Sequence, residues 1–235
     1  MKTQIDHLVV AAHTLDQGVQ WCEATLGLTP ETGGDHPQFG THNRLFKIAT
    51  PAHPLAYFEI IAINPNAKGP ANPNAKRWFD LDNPELRTAV AKEPRLVHFV
   101  AGTDELQTAR IALKTLGVDR GPAMPASRHS RKGVLHWQIT VREDGLRLFE
   151  GCLPTLIQWG KPDEAEPLRL HPRNSLPRSK ASLDHIAITH PSAAKLQAAY
   201  VAIGLEGIAI SEGPANLSAT IKTPKGLVTL NSMGI

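Results

Sequence analysis

The chain has 235 residues, of which 41% are hydrophobic and 20% charged, and its net charge is +3 with histidine neutral. This composition is typical of a globular protein with a substantial core. Lys and Arg residues are scattered and form no basic stripe with aromatic residues, so nucleic acid is not an expected partner. The two cysteines form no Cys-x-x-Cys pair, and neither a signal peptide nor a bilayer-spanning segment is visible. We therefore expect a cytoplasmic protein without a membrane partner.

The first 64 residues predict one β-α-β-β-β module. A β-rich run covers residues 5–12, and a helix is expected from Thr14, a residue typical of helix N-caps, to the glycine at position 27. A loop rich in glycine and histidine follows at residues 33–43. Two further strands are predicted at residues 44–49 and 56–63. The order is β-α-β-β-β if the loop contains a short strand.

Residues 95–153 predict a second module of the same order, and residues 181–235 a shorter third one. In the second module a strand at 95–102 and a helix to residue 116 precede strands at 134–141 and 146–152. The turn at residues 143–145 is typical of a hairpin.

Two linkers separate these modules. Residues 65–94 end in a helical candidate at 83–91, and residues 154–180 are rich in proline and charge. Their composition predicts extended surface segments rather than core.

A histidine opens each module at the same place. Each of His7, His98 and His185 lies in a predicted strand, and a glycine follows it after 19 or 20 residues. Glu59 and Glu150 each lie 52 residues after the first and second of these histidines. This regularity indicates one supersecondary unit used three times. Two histidines and two glutamates at matched positions suggest a metal site.

Modules of this kind resemble the vicinal oxygen chelate superfamily, whose first strand carries a metal-ligand histidine and whose last strand carries a glutamate. The first copy is most similar to the glyoxalase-like branch. The resemblance is carried by residues 6–10, 40–45 and 57–61. It implies an α+β fold in which two modules pair into a curved mixed-sheet cup and the third is a degenerate module.

The resemblance also implies a metal centre. His7 and Glu59 would face His98 and Glu150 across the cup. Two imidazoles and two carboxylates suit a divalent Zn, Ni, Co, Mn or Fe ion. The catalytic residues would be Glu150, by resemblance the general base, and Glu59. A metal-free alternative remains, in which these side chains hydrogen-bond to one another or pair with arginines.

Candidate substrate contacts come from two loops and one strand. They are His42, Asn43, Arg44, Arg131 and Trp137. The arginine in the basic loop 127–133 could hold an anionic substrate, and the tryptophan could form an apolar wall or pack in the core.

The third copy leaves the pairing open. His185 is matched with Asn231, after 46 residues, instead of with a glutamate. This module could pair with its mate in a homodimer, or pack against the first two and cap the cup. If copies one and three paired instead, the ligands would be His7, Glu59 and His185, with Asn231 as a weak fourth.

The expected function is that of a metal-dependent isomerase or lyase. Such an enzyme would act on a small-molecule substrate by chelating two vicinal oxygens, with the metal as Lewis acid. The alternative is a metal-free protein that binds or sequesters a small molecule, as some relatives do. A low aromatic content of 5% counts against a stacking pocket for such a ligand.

Overall fold

The computed structural model describes residues 1–130, 133–160 and 170–235. The strands are β1 (Thr3–Ala11), β2 (Glu31–His36), β3 (Thr41–Lys47), β4 (Tyr57–Ile63), β5 (Arg95–Thr103), β6 (Ala123–Ser130), β7 (Gly133–Thr140), β8 (Thr155–Trp159), β9 (Ser182–Thr189), β10 (Ala209–Ser211), β11 (Asn216–Thr223) and β12 (Gly226–Asn231). The helices are α1 (Leu15–Leu26), α2 (Pro84–Lys92), α3 (Leu106–Thr115) and α4 (Ala193–Ala202). Within these ranges no helix is long and apolar enough to cross a membrane.

The first two modules share one sheet. Its strand order is β2-β3-β4-β1-β5-β8-β7-β6, and the two halves meet where β1 pairs antiparallel with β5. The edge strands β2 and β6 contact each other, so the sheet curves into a nearly closed cup. The α+β fold and the pairing of copies one and two are thus confirmed, and β2 is the short strand that the glycine-rich loop had to supply.

The predicted strand at residues 146–152 is wrong. This segment forms turns, and Phe149, Glu150 and Gly151 have φ values of 52°, 49° and 85°, which are incompatible with an extended strand. The last strand of the second module is β8, which lies within the predicted proline-rich linker. The 52-residue spacing therefore led to a false equivalence between Glu59 and Glu150.

The first linker is not a surface segment throughout, because its second half fills the cup. Trp78 and Phe79 are 5% and 3% exposed and pack with Val9, Ile61 and Trp137 on the concave face of the sheet. The predicted helix is confirmed as α2. It begins after Asn83, whose side chain accepts hydrogen bonds from two backbone N–H groups of the first turn. The buried residues of α2 extend the same concave core.

The third module packs on the opposite, convex face. Its sheet, in the order β10-β9-β11-β12, shares one apolar core with α1, α3 and the outward side chains of β1 and β5. The hydroxyl of Tyr200 donates a hydrogen bond to the carbonyl of Cys152 at 2.5 Å. The third module therefore packs against the first two, as one of the two expectations stated. It does not cap the cup, so that part of the expectation is wrong. Its repeated histidine, His185, has a side chain that is 57% exposed and pairs with Asp184.

Replacing Trp78 tests the role of the linker as core. Trp78→Ala should lower the free energy of unfolding by about 3–5 kcal/mol, because it leaves a cavity in the concave core. Urea denaturation followed by circular dichroism measures this change. Val201, which is 71% exposed, provides the control, and Val201→Ala should change stability by less than about 0.5 kcal/mol. Equal effects of the two variants would contradict the placement of Trp78.

Candidate active site

A bulge in β1 joins Asp6 and His7 into one buried pair. The register with β5 shifts between Ile5 and His7, so Asp6 has no cross-strand partner there. Bulges redirect side chains in this way. The carboxylate of Asp6 is fully buried, and its Oδ1 lies 2.7 Å from His7 Nδ1. Its Oδ2 accepts a hydrogen bond from Trp159 Nε1 at 2.8 Å and lies 3.1 Å from His171 Nε2.

The electrostatics of this pair fix the orientation of His7. Burial by itself would raise the pKa of Asp6, but the contacts with His171 and His7 outweigh it and hold that pKa well below its usual range. An ionised carboxylate only accepts hydrogen bonds, so Nδ1 of His7 must be the donor. Nε2 is then directed to Glu59, whose Oε2 is 3.6 Å away.

Glu59 is held on its other side by an amide. Its Oε1 accepts a hydrogen bond of 2.5 Å from Asn43 Nδ2, and the glutamate is only 4% exposed. Asn43 Oδ1 in turn accepts from the N–H of Gly34 at 2.8 Å, which sets the amide orientation. A Cβ at position 33 would come within 1.9 Å of the same amide oxygen, so this contact requires Gly33.

A second buried histidine lies next to Asn43. Burial is the main cause that lowers the pKa of His36 to about 3, and Arg128 adds to it. His36 is therefore neutral at physiological pH. Its Nδ1 is 3.2 Å from Thr41 Oγ1, which also accepts a hydrogen bond from Trp78 Nε1. The linker residue Trp78 thus connects the core of the cup to the site.

Aromatic rings fix the imidazoles from the side. His7 stacks on Tyr57, with ring centroids 4.5 Å apart. His171 lies edge-on to Tyr57 and Trp159, at 5.7 Å and 4.9 Å. These contacts position His7 between Asp6 and the glutamate with little rotational freedom.

A cavity of about 460 Å³ opens beside this cluster, at the gap between β2 and β6. Its lining includes Gly33, Arg128 and Leu45, and the last of these is the cross-strand partner of Glu59. Leu176, near the C-terminal end of the second linker, packs on Leu45 and Tyr57. The volume is in the range of small-molecule sites. The Arg128 guanidinium lines this cavity, and guanidinium groups bind carboxylates and phosphates through paired N–H donors.

The equivalent position in the second module is different. In the first module the residue two positions after His7, Val9, pairs with Glu59. In the second module the residue two positions after His98, Val100, pairs with Thr155. Thr155 therefore takes the place of the glutamate. Its N–H donates to His98 Nε2 at 3.0 Å, and its Oγ1 lies at the same distance. His98 Nδ1 donates to the carbonyl of Gly151 at 2.8 Å.

The family match agrees with this architecture. A family model described as a glyoxalase-like domain matches residues 5–204. The chain belongs to the glyoxalase-like domain family. The expected resemblance to this branch of the vicinal oxygen chelate superfamily is thus confirmed. A search of curated proteins finds no match.

Solved structures resemble this glyoxalase-like protein at low sequence identity. A hypothetical protein from Staphylococcus aureus has a TM-score of 0.58 at 15% identity, covering 98% of this chain and 85% of that one, and this likeness is one of fold. A Streptomyces coelicolor methylmalonyl-CoA epimerase variant in complex with 2-nitronate-propionyl-CoA has a TM-score of 0.39 at 15% identity, covering 68% and 100%. A 4-hydroxymandelate synthase mutant from Streptomyces coelicolor has a TM-score of 0.48 at 12% identity, covering 98% and 62%.

The predicted four-ligand metal centre does not fit the residues present. His7 and Glu59 lie together, but the acceptor nitrogen of His98 is used by Thr155. Glu150 lies in a turn, where its Oε2 is 2.7 Å from Nε2 of His190 in the third module. No group of three or more His, Cys, Asp or Glu side chains suited to a metal ion occurs in the described ranges.

The predicted substrate contacts fall into separate places. Asn43 lies in the site, whereas His42 and Arg44 lie on the opposite face of β3, because side chains alternate along a strand. His42 instead lines a cavity beside α1 and α2. Trp137 is 5% exposed and packs in the concave core. Arg131 lies outside the described residues.

Several residues of the site were not predicted as such. Asp6 belonged to the recognised motif, but its role depends on a bulge. His171 and Arg128 reach the site from distant segments, and Thr155 was hidden by the misassigned strand. Two of them carried a visible indication: His36 in the glycine- and histidine-rich loop, and Arg128 in the basic loop that was expected to hold an anionic substrate.

His36 should make stability depend on pH. Its folded pKa of about 3 lies below the usual value near 6.5, so the unfolded state takes up the proton first. Its contribution is complete above pH 6.5 and is lost as the pH falls towards 3, by about 1.4 kcal/mol per pH unit. Urea denaturation at several pH values gives the free energy of unfolding as a function of pH. Its slope between pH 3 and 6.5 should be shallower for His36→Leu than for the wild type. His185→Leu, at an exposed histidine, is the control and should keep the slope of the wild type. An unchanged slope in His36→Leu would contradict the lowered pKa of His36.

Proposed function

We propose that this protein is an enzyme that moves a proton at a carbon next to a carbonyl or similar oxygen-bearing group of a small anionic substrate. The observation that carries the proposal is the buried chain Asp6–His7–Glu59–Asn43 beside a cavity that contains an arginine. An isomerase or lyase reaction of this kind agrees with the family membership. The proposal requires no four-ligand metal centre, because the second half of that centre does not fit.

Glu59 is the general base of this mechanism. One oxygen is anchored by Asn43, which leaves Oε2 to take the substrate proton. A carboxylate positioned in this way can act as a general base. The substrate reaches it from the cavity side, past Leu45 and Leu176.

His7 stabilises the charge that develops on the substrate oxygen. Its Nε2 faces the same space as Glu59 Oε2, and the Asp6 carboxylate lies behind the ring at Nδ1. When both ring nitrogens carry a proton, Nε2 donates a hydrogen bond to an enolate-type oxygen. The orientation of His7 is fixed before substrate binds, because it depends on protein groups alone.

Arg128 sets the substrate class. Its guanidinium lines the cavity, and a guanidinium binds carboxylate or phosphate groups through paired N–H donors. A 2-oxo or 2-hydroxy carboxylate would place its anionic group at Arg128 and its reactive carbon towards Glu59.

The first experiment compares two glutamates. Wild type and variants are incubated in deuterated water with a panel of 2-oxo and 2-hydroxy carboxylates, and proton NMR measures exchange at the carbon next to the oxygen. Glu59→Gln should reduce exchange by about 10²–10⁴-fold. Glu150→Gln, the matched control, should leave it unchanged. Binding of the same compounds without exchange in wild type would favour the sequestering protein instead.

The second experiment measures metal. Elemental mass spectrometry of protein purified without chelator should find a substoichiometric metal content, and exchange should survive treatment with chelator. The reason is that the described residues supply only the His7 and Glu59 side of the predicted centre. One equivalent of a transition metal, lost in His7→Ala and in His98→Ala, would overturn the metal-independent mechanism and restore the predicted centre.

A further inference from the structure

Arg120 is a buried cation that the proposed mechanism does not use. It lies between α3 and β6 and is only 4% exposed. Its Nη2 donates a hydrogen bond to the hydroxyl of Thr155, which contacts His98. Its Nε and Nη1 have no hydrogen-bond partner among the described residues. Two nitrogen atoms of this buried guanidinium, which carry three N–H groups, therefore have no acceptor among the described residues.

The neighbouring carboxylates are already engaged. Asp144 accepts hydrogen bonds from Arg142 at 2.5–3.1 Å, and Asp80 accepts from Arg147 at 2.9 Å. Asp119, next to Arg120 in the sequence, accepts from the N–H of Gly121 at 2.9 Å. Within the described part of the chain, none of these three carboxylates accepts a hydrogen bond from Arg120. Burial, with Arg142 adding to it, lowers the pKa of Arg120 to about 10, so the group stays charged at neutral pH. Asp144 acts on this charge only through a longer-range attraction, since the guanidinium that hydrogen-bonds to it is that of Arg142. A buried charge without a hydrogen-bonded counter-ion is costly.

A small cavity of about 10 Å³ lies next to Arg120. Thr155, Arg142 and Arg147 also line it, and none of its lining residues is acidic. A cavity of this size holds about one water-sized species. Water would satisfy the two donors but would not balance the charge, whereas sulfate, phosphate and organic carboxylates are too large.

We propose that this cavity is a binding site for one small inorganic anion, with chloride as its ligand. The anion accepts hydrogen bonds from Nε and Nη1 of Arg120 and neutralises the excess positive charge. The site lies where the second histidine–carboxylate pair of a metal centre would be expected.

Thermal unfolding tests the site directly. Melting temperatures are compared in sodium chloride and in sodium gluconate at equal sodium concentration, because gluconate is too large to enter. For wild type, chloride at about five times its Kd should raise Tm by roughly 2–4 °C above the gluconate value. Arg120→Met should lose this difference. Arg110→Met, which removes a guanidinium bound to Gly121 and Gln107, is the matched control and should keep it.

If Arg120→Met does not fold, a wild-type crystal grown in sodium bromide tests whether an anion binds at Arg120. An anomalous peak in contact with the Arg120 guanidinium of the wild type supports the site. Absence of that peak overturns it, as does an equal Tm of wild type in the two salts. A chloride effect that persists in Arg120→Met also overturns it, because the ion would then be bound elsewhere.

Discussion

The antiparallel pairing of β1 with β5 is the contact on which the other features depend. It joins two modules into one sheet and gives that sheet a concave and a convex face. The concave face receives the linker residues Trp78 and Phe79 together with the site, and the convex face receives the third module. The bulge in β1 at this pairing also brings Asp6 next to His7. One irregularity in one strand pair therefore determines the orientation of the histidine.

The two modules have kept the same backbone order and changed their chemistry. In the first, His7 lies 3.6 Å from the Glu59 carboxylate. In the second, the matching histidine is neutral and hydrogen-bonded to Thr155. Burial and then Arg120 lower the pKa of His98 well below its usual value. A repeated fold allows this division, because each half of the cup can change its side chains while the pairing holds both in place.

The repeat made the fold predictable, and it also produced the main error. Histidines at matched positions indicated the modules and their order, since strand and helix patterns are local properties of the sequence. The match between Glu59 and Glu150 was misleading, because equal spacing along the chain does not ensure equal register in the sheet. Thr155 could be recognised only from strand pairing. His171 reaches the site through tertiary packing, for which the sequence holds no local pattern. The basic loop marked Arg128 as a possible anion contact, but its place in the cavity beside the site follows only from the closure of the sheet.

The position of Thr3 has a consequence for synthesis. This first residue of β1 pairs with Leu205, and its backbone N–H donates to the carbonyl of Gly204, just after α4 in the third module. At about 5–20 residues per second, a ribosome needs roughly 10–40 s to reach these partners. Throughout that time the strand that carries His7 has an incomplete environment. β1 therefore completes its hydrogen bonds only after α4 of the third module has been made.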